Sequence, residues 1–138
     1  MFDASENDLR FAIQHALGPE IHKLVSEIHD ISNDTVDVVL SEAAKFARDV
    51  IAPLNHLGDK EGCKWQADNT VQTPPGFKEA YKEMSEAGWC SIEGCEEFGG
   101  QNLSKMISAS TAEMWHSANM SFSSVSYTHL TLPTILLV

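Results

Sequence analysis

Seven apolar side chains between Val36 and Ile51 (Val36, Val39, Leu40, Ala43, Ala47, Val50 and Ile51) fall on one face of an α-helix. A stripe at this spacing must be buried against a neighbouring element, so it commits the chain to helix packing. Asn33 or Asp34 is placed to accept hydrogen bonds from the free N–H groups of the first turn. Asp37 adds negative charge where the helix dipole favours it. Pro53 has no N–H and restricts Ala52, which predicts a helix running from about Asp34 and ending near Ile51.

The same periodicity predicts two shorter helices upstream. Asp8 to Leu17 places Leu9, Ile13, Ala16 and Leu17 on one face, and Gly18-Pro19 interrupts the pattern. A second stripe follows at Ile21, Leu24, Val25 and Ile28. From Leu54 to Pro75 the chain is polar and rich in turn residues, which reads as a long surface loop. Pro75-Gly76 opens another helix with Phe77, Ala80, Tyr81 and Met84 inward, and Gly88 stands where a left-handed C-terminal cap belongs. A glycine-rich stretch through Gly94, Gly99 and Gly100 leads to a last helix over about Ser104 to Asn119. No segment before residue 120 demands a strand. The predicted fold class is all-α, a bundle of antiparallel helices with a long loop between the third and the fourth.

The 138 residues suffice for one domain with a core, and 43% hydrophobic with 21% charged residues is globular composition rather than disorder. The net charge of −11 argues against nucleic acid or an anionic membrane surface as a partner, and otherwise serves solubility. A site for a phosphorylated ligand would have to be built from few basic residues. Cys63, Cys90 and Cys95 are odd in number, form no C-x-x-C pair and lack basic neighbours. They read as inert thiols of a reducing compartment, the cytoplasm. The longest apolar run, Ile135 to Val138, is far too short for a membrane span. His15, His22 and His29 recur every seven residues, but Gly18-Pro19 breaks the helix that would align them and no further ligand completes a site. No metal is expected.

The end of the chain is different in kind. Val125-Ser126-Tyr127-Thr128-His129-Leu130-Thr131-Leu132-Pro133-Thr134 looks like the frame translation of a transposase-type sequencing adapter, and the acidic composition stops there. The alternative is a natural β-prone segment. Val125 to Val138 is read as a non-native tail and set aside from the fold.

Four blocks occur in a fixed order in the remainder. The first is Ala43 to Asn55 (AAKFARDVIAPLN), followed by Gly58-Asp59-Lys60-Glu61-Gly62. The second is Val71 to Tyr81 (VQTPPGFKEAY), followed by Glu86-Ala87-Gly88-Trp89. The third is Glu96 to Gln101 (EEFGGQ), and the fourth Ala112 to Phe122 (AEMWHSANMSF). Together they resemble the acyl-CoA dehydrogenase family, in the long-chain-length branch that carries an extra N-terminal helical segment. The resemblance covers about Met1 to Phe122. Asn102-Leu103-Ser104 departs from the Gly-Leu-Pro usual in that branch, which should loosen the start of the last helix slightly.

The resemblance implies an N-terminal helical extension over 1–31, the family's N-terminal helical domain, incomplete, over 32–124, and the tail over 125–138. It implies an FAD-dependent parent enzyme that removes hydrogen across the Cα–Cβ bond of an acyl-CoA thioester, passes electrons to an acceptor, and forms a homo-oligomer. The family's catalytic glutamate and most flavin contacts come from later domains, so no catalytic or cofactor-binding residue is carried onto this chain. Phe98, Gly99, Gly100, Leu103 and Met106 are the candidates for substrate binding, as lining of the acyl-chain pocket. The alternative for them is an ordinary helix-to-helix turn. Glu61, Glu96 and Glu97 read as solvated faces, and Trp89 and Trp115 as core anchors. A rival from another class is a non-enzymatic acidic helical module that binds a protein partner. It accounts for the periodicity and charge but not for four ordered blocks.

Overall fold

The computed structural model describes residues 2–16, 18–29 and 32–124. Helix α1 (Glu6–Phe11) passes into a π-helical turn at Ala12–Ala16, and α2 (Gly18–His29) follows. Helix α3 (Asn33–Phe46) runs through a second π-helical turn at Ala47–Ile51 into α4 (Ala52–Glu61). A two-stranded antiparallel ribbon, β1 (Lys64–Trp65) and β2 (Val71–Gln72), leads to α5 (Phe77–Glu86). Two 3-10 turns at Trp89–Ser91 and Glu96–Phe98 precede α6 (Lys105–Ala118). One more helical turn covers 120–124. The fold is the expected helical bundle, with α3 at its centre between α1 and α6.

The stripe on α3 is buried as its spacing requires. Leu40, Ala43, Ala47 and Ile51 are each 0% exposed, and Val36, Ala44 and Phe46 are buried beside them. Leu9 of α1 and Ile13 of the π-turn after it share this core, with Ala80 and Met84 from α5, and Ile107, Met114, Trp115 and Ala118 from α6. Each buried aliphatic or aromatic side chain of this size contributes about 1.5–3 kcal/mol. Polar links fix α1 in place. Arg10 bridges Glu6 (2.6 Å) and Asp37 (2.7 Å), and the Ser41 hydroxyl donates to Glu6 at 2.7 Å. Asp37, near the start of α3, is thus also engaged with α1. The cap of α3 is Ser32, whose Oγ accepts from the Thr35 N–H at 3.1 Å, in place of the expected Asn33 or Asp34.

The helix does not end near Ile51. The Ala52 N–H bonds to the Ala47 carbonyl, a π-type step that admits one extra residue into the turn. Pro53 then falls in the first turn of α4, where its missing N–H leaves no gap in the ladder. The expected 54–75 loop is accordingly helical through Glu61. Its remainder holds the ribbon, contrary to the expectation of no strand, with Trp65 opposite Val71 and Lys64 opposite Gln72. Two-residue strands are too short to show a period. Their connection turns at Asn69, where φ is +65° and Asp68 accepts from the Thr70 N–H and hydroxyl.

Four inward assignments need correction. Ala16 is exposed, because the π-turn shifts the face that Leu9 and Ile13 define. Tyr81 is 37% exposed on the flank of α5. Ile21 and Leu24 of α2 are 49% and 55% exposed, so neither of these two is buried as expected. Leu17 and the side chains of Val25 and Ile28 lie outside the described residues, as does the segment 125–138.

The stretch between α5 and α6 is held by its own backbone. Gly88 has φ +77°, the left-handed cap expected there. The N–H groups of Gln101, Asn102 and Leu103 bond to the carbonyls of Ser91, Gly94 and Ile92. Gly94 and Gly100 touch through main chain, and a Cβ on Gly100 would stand 2.1 Å from the Gly94 carbonyl. Ser104 caps α6 by accepting from the Ile107 N–H, so a side-chain cap takes over the role that proline plays in the family. Asn102, where the family has glycine, takes φ +50°.

Two stability measurements check this packing by urea or thermal unfolding. Gly100→Ala should destabilise more than Gly99→Ala. The first forces two backbones apart, whereas Gly99 (φ +79°) has open space around it and suffers only the left-handed penalty of about 1–2 kcal/mol. Equal losses for the two variants would refute the close contact. Leu40→Ala should lose about 2–5 kcal/mol. Val38→Ala, on the same helix with Val38 62% exposed, should stay within about 0.5 kcal/mol of the parent.

Candidate functional site

The structure places the five residues expected around an acyl pocket in different surroundings. Leu103 is 9% exposed and belongs to the core, with Met106 packed against it. Phe98 is 84% exposed and projects into solvent from the turn at Glu96–Phe98, and Gly99 beside it is exposed. Gly100 is half-buried against Gly94. Gly100 thus permits a close backbone approach, whose partner is another stretch of this chain.

The same stretch is tied to α6 by a surface clamp. Lys105 Nζ donates to both carboxylate oxygens of Glu93 (2.9 and 2.8 Å), and the Ser108 hydroxyl donates to Glu93 as well. Desolvation raises the Glu93 carboxyl, but the bonds from Lys105 and Ser108 and the lysine charge outweigh it and hold the group below the usual carboxylate range. Glu93 therefore stays ionised near neutral pH and acts as an anchor rather than an acid. Cys63, Cys90 and Cys95 are free and exposed, and partial desolvation raises the Cys90 thiol, which keeps it protonated and weakly reactive. Glu61 pairs with Lys64 at 3.0 Å, while Glu96 and Glu97 are solvated.

An open groove of about 480 Å³ lies between α3, its π-turn and the α5–Trp89 segment. Val38, Val39, Phe46, Val50, Ala87 and Trp89 supply its apolar lining. Glu42, Lys45, Asp49, Glu83 and Gln101 supply the polar part. Behind it Trp115 stands edge-on to Trp89 (5.3 Å between rings) and to Phe46 (6.4 Å), so the two tryptophans anchor the core as expected, Trp89 with one side toward the groove. The π-turn helps to build this surface, since Asp49 and Val50 lie in it. Sequence reading missed the groove. No local signal marked it, because its lining comes from residues distant in sequence.

The groove can take an apolar side chain or a short amphipathic segment. Its polar residues include three carboxylates and one lysine, a donor set unsuited to the pyrophosphate of a dinucleotide such as FAD. No group of three or more histidine, cysteine or acidic side chains among the described residues could hold a metal ion. His15 stacks on Phe11, with ring centres 4.9 Å apart, and the side chains of His22 and His29 are outside the described set. No described helix is long and apolar enough to cross a membrane.

Comparison with known proteins supplies what this geometry leaves open. The family profile for the acyl-CoA dehydrogenase N-terminal domain matches residues 33–138, a span that includes the adapter-like segment. The chain is similar to 3-methylmercaptopropionyl-CoA dehydrogenase of Ruegeria pomeroyi, with 34% identity over 122 residues, covering 88% of this chain and 20% of that protein. It is also similar to butyryl-CoA dehydrogenase of Syntrophomonas wolfei, with 36% identity over 88 residues, 59% of this chain and 14% of that protein. The chain therefore spans a fifth or less of the length of these relatives. By the match over most of its length and by its helical architecture, this chain belongs to the acyl-CoA dehydrogenase family and carries the fold of its N-terminal domain.

Proposed function

We propose that the chain is the N-terminal part of a flavin-dependent enzyme that dehydrogenates an acyl-CoA thioester between Cα and Cβ, and that these 138 residues alone are inactive. The observation that carries the reading is the 34% identity across 88% of the chain to an acyl-CoA dehydrogenase of which that match covers only 20%. The described side chains support the second half. The groove between α3 and α5 is open and lined by three carboxylates and one lysine, which suits neither a base shielded from water nor the pyrophosphate of FAD. When bound in the parent, the flavin would take the hydride from Cβ. The groups that hold it and position the thioester are assigned to the portion of the parent that this chain does not span.

The role left to this part is shape. Phe98, Gly99, Gly100, Leu103 and Met106 are proposed as a wall of the acyl pocket once the rest of the enzyme covers the α5–α6 segment. Phe98, exposed in this chain, is the side chain that such covering would bury. The proposed divisions remain 1–31 as extension, 32–124 as the family domain and 125–138 as a non-native tail, although α1 shares the core of the second division through Leu9 and Ile13. A homo-oligomeric parent and a cytoplasmic location complete the reading, the latter supported by three free thiols. The rival, a self-sufficient acidic interaction module, draws support from the open groove but leaves the family match unexplained.

Two experiments test this. The purified 138-residue chain should be colourless and should fail to reduce an electron-acceptor dye with any acyl-CoA from C4 upward. A yellow protein with stoichiometric flavin would overturn the assignment of the flavin contacts. Resequencing the locus should read past Ser124 into coding sequence for the remainder of the enzyme. An in-frame stop after Val138, reproduced in independent reads, would sink the tail assignment.

A further inference from the structure

No further inference is drawn: the strongest candidate, the apolar groove between α3 and α5 beside Trp89, has an acidic lining that only repeats the charge of the whole chain, and nothing in the structure shows what covers it.

Discussion

Close packing of α3 against α6 is the contact on which everything else in this chain depends. Small side chains make it possible. Ala43, Ala44 and Ala47 are buried to 1% exposure or less, in one core with the larger Ile107, Met114 and Trp115 of α6. Leu40 and Ile51 fill the two ends of the same face. Because protein interiors have crystal-like density, a face built this way tolerates little change of volume. The outer shell of α1, α4 and α5 is arranged around that fixed pair, and the groove opens where the shell leaves Val39 and Val50 only half-covered.

Much of this was legible in the sequence, and the failures share a cause. The buried face of α3 could be read because its 14 residues, about four turns, repeat one pattern. The bounds of α6 could be read because Ser104 and Asn119 are strong cap residues that frame it. The continuation past Ile51 was hidden because Pro53 signals a helix end unless a π-step resets the ladder, and only the hydrogen bond from Ala52 to Ala47 reveals that step. The ribbon was hidden by its length. Ile21 and Leu24 were misplaced because periodicity shows which face is apolar but not whether anything covers it.

For the candidate site the limit is different. Phe98, Gly99, Gly100, Leu103 and Met106 came from resemblance, and their local geometry is consistent with a tight turn that presents one aromatic ring. A pocket, however, belongs to all the elements that surround it. A chain spanning a fifth of a relative can show one wall and not the enclosure. The groove is the converse case, since its lining comes from residues distant in sequence. Val39, Asp49, Glu83 and Gln101 meet only after α3, α5 and the glycine stretch have packed.

The ion-pair link between α1 and α3 has a consequence for the order in which the chain gains structure. Arg10 and Asp37 are 27 residues apart, and Glu6 and Ser41 are 35 apart. The contacts between α3 and α6 close a far longer loop. Loop closure grows more unfavourable with length, and contacts of short separation form sooner. The N-terminal pair can therefore assemble while the chain is still emerging from the ribosome, with Leu9 and Ile13 shielding one side of α3 before α6 exists. Helix α1 would then cover the helix at the centre of the bundle early, before its later partner is made.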